Sequence, residues 1–221
     1  MRSEKGTSGQ KADRSFIETA RRAQIMAAAI DTIAALGYGQ ASLARIAETA
    51  GTSKGVIIYH FGGKDELVRE LVAELSVKGR AYLGPRLEAE PTGVGMLRSY
   101  IESNLSFVSE NRNHVLAVVE IALNARAADG SPLYDFSIRE QGVAALRQLL
   151  IHFQRTGEFR ADFDPDVMAM AIRATLDAVP ARLAREPGLD IGRYGRELAD
   201  LFQAAIRPGE SSAGAVSPPT K

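Results

Sequence analysis

Residues 42–61 read SLARIAETAGTSKGVIIYHF, and the spacing within this stretch decides how the N-terminal part of the chain folds. Leu43, Ile46, Ala47 and Ala50 recur at helical intervals after Ser42, whose hydroxyl suits an N-cap. Gly51 stands four residues after Ala47, where a chain leaving a helix commonly takes the positive φ that glycine adopts without strain. Thr52 and Ser53 can cap a second helix over about 54–60, and Val56 and Ile57 point back to hold it down. Two short helices crossing at a small residue, with glycine in the turn, make a helix-turn-helix.

The second helix has chemistry suited to a polyanion. Thr52, Ser53, Lys54 and Gly55 offer hydroxyls, an ammonium and bare backbone at a helix N-terminus, where N–H groups and the helix dipole favour phosphate oxygens. Such an end reads base edges in the major groove. Tyr59 and His60 can donate to phosphates, with Lys64 beside them at the next helix start, and contacts of that kind position rather than specify. The charge distribution agrees. Residues 1–64 hold nine Lys/Arg against five Asp/Glu, the remainder eighteen against twenty-two, although the whole chain is neutral. A basic front suits an end turned toward nucleic acid.

Outward from this motif, nearly every segment reads as helix. Residues 17–36 place Ile25, Ala29, Ile33 and Leu36 on one face before Gly37. Residues 64–78 carry Leu67, Val68, Leu71 and Leu75, and Gly84-Pro85 and Pro91 then predict breaks. Longer helices follow over 93–109 and 112–127. Ser131-Pro132 and Asp164-Pro165 each read as a cap followed by proline at the first helical position, opening helices at 132–156 and 165–185, the latter bent at Val179-Pro180. A last helix over 190–206 bears Leu198, Leu201 and Phe202. The expected division is a basic, disordered arm (1–14), a DNA-binding domain (15–64), a helical ligand-binding and dimerisation domain (65–207) and a disordered tail (208–221).

Residues 21–72 resemble the N-terminal domain of the TetR family. The shared elements are a first helix ending in Leu-Gly-Tyr, then Ser-Leu-x-x-Ile-Ala-x-x-Ala-Gly, Ser-Lys-Gly, Tyr-His-Phe and Lys-Asp-Glu-Leu. The resemblance implies an all-α homodimer: a three-helix DNA-binding domain joined by a fourth helix to a larger helical domain that binds a small molecule and dimerises. It implies a transcription regulator, most often a repressor that ligand releases from DNA. Ile58 replaces the first of two aromatics usual before the His-Phe pair, removing a hydroxyl that family members often give to a phosphate. Gly62-Gly63 stands where a polar cap is common.

The expected DNA-contacting residues are therefore Ser42, Thr52, Ser53, Lys54, Gly55, Tyr59, His60 and Lys64, on a near-palindromic duplex. Ligand-pocket candidates are Tyr100, Asn104, Phe107, Glu120, Asn124 and Phe153. Glu120 and Asn124, one turn apart on the most apolar helix, either orient a mostly apolar effector or face outward. No cluster of positive charge faces these helices, which argues against a phosphorylated metabolite. Leu198, Leu201 and Phe202, with the Ala- and Met-rich helix 165–185, suggest a four-helix dimer seam. An activator, or a regulator controlled by a protein partner without a small ligand, is the alternative.

Other classes find little support. No nucleophile–base pair, metal motif or phosphate loop argues for an enzyme or a cofactor. Gly93-Val94-Gly95 follows no strand, and the alternating Asp162, Asp164 and Asp166 lack the further ligands of a calcium loop, so helix capping accounts for them. His114 and His152 stand singly. No apolar run approaches the ~18 residues of a membrane span. No secretory signal opens the chain, and cysteine is absent, so a cytoplasmic location is expected.

Overall fold

The computed structural model describes residues 7–126, 129–133 and 137–208, the first nine and residues 137–139 as backbone only. Nine helices lie among them: α1 (Thr7–Leu36), α2 (Leu43–Thr49), α3 (Lys54–Phe61), α4 (Lys64–Glu88), α5 (Gly93–Glu110), α6 (Arg112–Asn124), α7 (Ser137–Thr156), α8 (Pro165–Arg185) and α9 (Ile191–Ile206). No described residue belongs to a strand, and one isolated antiparallel bridge joins Arg126 to Pro132. The all-α expectation holds. No described helix is long and apolar enough to cross a membrane.

The helices form two compact units. The first takes the described residues up to Ala81, with Phe107–Phe136 and Pro180–Pro187. Its core is the apolar face of α1 (Ile25, Ala29, Ile33) with Ile46, Ile57, Leu67, Leu71, Ala117 and Ile121, all fully buried. α1 packs extensively along α6 and crosses α2. The second unit takes Tyr82–Ser106, Ser137–Val179 and the described residues from Gly188. Leu97, Ile101, Leu105, Leu146, Leu150, Phe159, Ile172 and Leu176 fill it, beside Phe202 and Ile206 of α9. Gly195 lets α9 approach α5, since a Cβ there would stand 3.3 Å from Leu105.

Three local expectations need correction. The chain is already helical from Thr7, so residues 7–14 are not a disordered arm; Gln10, Lys11, Ala12 and Arg14 are good helix formers. Residues 1–6 and the tail from 209 lie outside the described residues. Gly84-Pro85 does not end α4, which continues to Glu88. Proline forfeits one hydrogen bond there, and Arg86 donates to the Tyr82 carbonyl (2.6 Å) while stacking on that ring. Finally, α7 starts at Ser137, not at Pro132. Ser131 instead donates through N and Oγ to Asp129 Oδ1 (2.9 and 2.6 Å), a local turn that competes with capping.

Candidate DNA-binding face

Each half of the helix-turn-helix is capped as its sequence requires. Ser42 Oγ accepts from Arg45 N and Ser53 Oγ from Val56 N, both at 3.3 Å. Between them, Gly51 has φ +59°, and Thr52 N donates to the Ala47 carbonyl at 2.9 Å. Thr52 thus closes the turn, and Ser53 alone caps α3. Ala47 is buried at the crossing.

α3 turns Ile57 and Phe61 inward, both buried. Lys54, Gly55, Ile58 and Tyr59 are exposed, Tyr59 to 79%. Spaced by i, i+4, these four make one outward face. Polar contacts from α1 fix its position. Arg22 donates to the His60 carbonyl and to both carboxylate oxygens of Glu70, and its guanidinium lies 4.3 Å from the Phe61 ring centre. Gln24 Nε2 donates to the Ala50 carbonyl at 2.8 Å. α1 thereby holds the start of the turn, the end of α3 and the flank of α4. The sequence reading missed Arg22, because nothing in a lone arginine on an amphipathic helix shows what it will reach.

His60 packs edge-on against Tyr59, and its Nδ1 is buried with no hydrogen-bond partner. Lys64 departs from expectation. Its Nζ donates to the Tyr38 carbonyl at 2.7 Å and sits 3.9 Å from the Tyr38 ring centre. Burial pushes its pKa down against the opposing pull of Asp65, and Tyr38 is pushed up by burial and the Asp65 charge. The α1–α2 turn lies over the start of α4 and takes one donor of this ammonium, a structural contact for a residue expected on phosphate.

The effector candidates divide between the two units. In the second, Tyr100 and Asn104 of α5 meet an arginine that the sequence reading passed over. Arg173 Nη1 donates to Tyr100 Oη (3.2 Å) and Asn104 Oδ1 (3.3 Å), and its Nε to Asp177 Oδ1 (2.9 Å). An Arg–Asp pair one turn apart on an otherwise Ala- and Met-rich helix was the available signal. Phe153 is spent in packing: a Cβ on Gly93 would fall 2.4 Å from its ring, which also tilts against Phe159. In the first unit the Phe107 ring lies against Gly79. Glu120 and Asn124 bond to each other (3.1 Å), and Glu120 Oε2 stands 3.5 Å from Tyr38 N. That pair lies against the turn that follows α1.

On α9 the expected stripe splits. Leu198 and Phe202 are buried within the protomer, whereas Leu201 is 63% exposed. Of the three aspartates around the start of α8, only Asp164 caps, accepting from Asp166 N at 2.8 Å; Asp162 pairs with Arg160 and Asp166 with Arg147. No described group of three His, Cys, Asp or Glu is placed to hold a metal.

Two helices, the second capped, clamped and presenting a basic and aromatic face, define a DNA-binding transcription regulator of the helix-turn-helix class. Residues 25–71 match the model of the bacterial regulatory proteins of the TetR family. The chain is 28% identical to the HTH-type transcriptional repressor AcnR of Corynebacterium jeikeium, over 86% of this chain and 94% of that one. It is 26% identical to the HTH-type transcriptional regulator BetI of Vibrio vulnificus, over 76% and 82%. Its fold is similar to that of FadR from Bacillus subtilis, solved in complex with stearoyl-CoA (TM-score 0.69, 20% identity, 83% and 98% covered). It is also similar to the ketosteroid transcriptional regulator KstR2 of Mycobacterium tuberculosis (0.71, 21%, 85% and 95%). These relatives are transcription regulators, not enzymes.

Proposed function

We propose that the protein is a homodimeric repressor that binds a near-palindromic operator and releases it when a small molecule occupies the second unit. The observation that carries this reading is the outward face of α3, with Lys54 and Tyr59 exposed beside a bare Gly55. Similarity to the repressor AcnR over nearly its whole length supports the sign of regulation.

Dimerisation is supported by an unpartnered surface. Val167 and Met170 of α8 are 64% and 63% exposed, and Ala171, Ala174 and Ala178 continue the same face. Small side chains allow close helix approach, and Leu201 adds an apolar knob from α9. Two copies of these helices can form a symmetric four-helix seam, pairing two α3 helices for two half-sites.

The effector is a mostly apolar molecule with one polar or anionic end, met by Tyr100, Asn104 and Arg173. The half-buried cation of Arg173 adds a single positive charge to a region where no cluster of positive charge is expected. FadR, of similar fold, was solved with stearoyl-CoA, a precedent in kind. Calorimetry tests the coupling. An effector found by thermal-shift screening should bind operator-loaded protein more weakly, by the same factor by which it weakens operator binding. Equal affinities with and without operator would mean that the effector does not control DNA binding.

A further inference from the structure

We infer that Ile58 reads sequence: its side chain meets the C5-methyl of a thymine in the major groove. The inference rests on the DNA-binding reading of α3 and deepens it. α3 is apolar on two sides. Ile57 and Phe61 face the core and are buried, while Ile58, about 100° further round the helix from Ile57, is 43% exposed. One turn separates it from Lys54, and Tyr59 is its neighbour, so it shares the face that meets the duplex. A cationic and a phenolic neighbour suit phosphates; an isoleucine has nothing to offer them.

Gly55 lowers the profile of this face. A Cβ there would meet only Ser53 Oγ, at 3.7 Å, so on the outer side nothing but backbone stands between the helix and the groove. That close approach brings the second turn of α3, and Ile58 with it, down to the base edges. Nearly every group on those edges is a hydrogen-bond donor or acceptor, and an aliphatic side chain would desolvate them without pairing. Thymine alone presents a methyl. Ile58 therefore favours thymine and disfavours the other bases opposite it.

The test uses the full-length protein and the duplexes it enriches from a random pool. Each thymine of one half-site is replaced in turn by 2′-deoxyuridine, which deletes the methyl and leaves every hydrogen-bonding group in place. Loss of one buried methyl corresponds to about a fourfold loss of affinity. The expected result is one position where the wild type loses about fourfold and Ile58→Ala loses nothing. The inference is overturned if Ile58→Ala keeps the full deoxyuridine penalty at every position, or if no thymine in the half-site shows a penalty. It is also overturned if the variant weakens random-sequence DNA as much as operator, which would place the side chain on the sugar–phosphate backbone. A wild-type protein that enriches no sequence would remove the DNA-binding reading itself, and this failure shows before any variant is made.

Discussion

Arg22 on α1 and Glu70 on α4 form a two-oxygen ion pair, and the same arginine grips the His60 carbonyl near the end of α3. The pair is about one-third exposed on each side (34% and 37%), so solvent screens part of its strength. Its main consequence is geometric. Arg22→Ala is expected to cost about 1 kcal/mol of stability and to weaken operator binding about tenfold, as the end of α3 loosens. The exchanged pair Arg22→Glu with Glu70→Arg should recover much of the affinity. Urea titrations and operator-binding isotherms on the two singles and the double check this; a double no better than its singles would assign Arg22 a direct role on DNA.

The two lysines of the motif should behave differently. Lys54 is exposed on the α3 face, so Lys54→Ala should flatten the plot of log affinity against log salt by about one unit. Lys64 donates to the Tyr38 carbonyl. Lys64→Ala should leave that slope unchanged and lower the unfolding midpoint in denaturant. Binding measured from low to moderate salt separates the two, and an altered slope for Lys64→Ala would restore it to the interface.

Much of this motif was legible because capping and turn rules act over three or four residues. Ser42, Gly51 and Ser53 do what their positions require. Lys64 misled because its partner, the Tyr38 carbonyl, is 26 residues away, and no local rule reports such a meeting. Glu120 has a distant partner of the same kind, Tyr38 N, 82 residues away. The helix starts at Asp164 and Asp190 were readable from an aspartate cap, whereas Ser131 lost its capping role to its own neighbour Asp129. Arg173 went unremarked because charge counting overlooks one half-buried arginine among alanines.

Leu201 and Leu198 separate assembly from folding. Leu201→Asp puts a carboxylate on the exposed apolar face of α9 and should yield a folded monomer with normal helix content. Leu198→Asp buries a charge in the protomer core and should cost several kcal/mol, enough to compromise folding. Light scattering with circular dichroism distinguishes the cases, and a Leu201→Asp protein that stays dimeric would move the seam elsewhere.

Acid should weaken the first unit through His114. The ring is buried with Nε2 2.9 Å from the Leu71 carbonyl, and burial lowers its pKa, opposed by that hydrogen bond and Glu74, while Lys78 adds to the lowering. The unfolded chain therefore binds the proton more readily than the folded one. The contribution is fully present above the ordinary histidine value of about 6.5 and is lost as pH falls below it. His114→Gln keeps a donor for Leu71 without the titration, so its stability should change less between pH 7 and 5 than the wild type's. Parallel profiles in thermal melts would exclude His114.

The prolines inside α4 and α8 have a mechanical meaning. α4 passes from one compact unit to the other between Ala81 and Tyr82, and α8 between Val179 and Pro180. Pro85 cannot donate to the Ala81 carbonyl, nor Pro180 to that of Leu176, so each rod lacks one rung of its ladder at or within a turn of the crossing. A helix under load flexes where a rung is already missing, because bending there breaks no further bond. Each of these two helices thus has one point of low bending stiffness near its proline. Restoring the rungs with Pro85→Ala, at an exposed position, or Pro180→Ala, at a buried one, would stiffen the rod concerned.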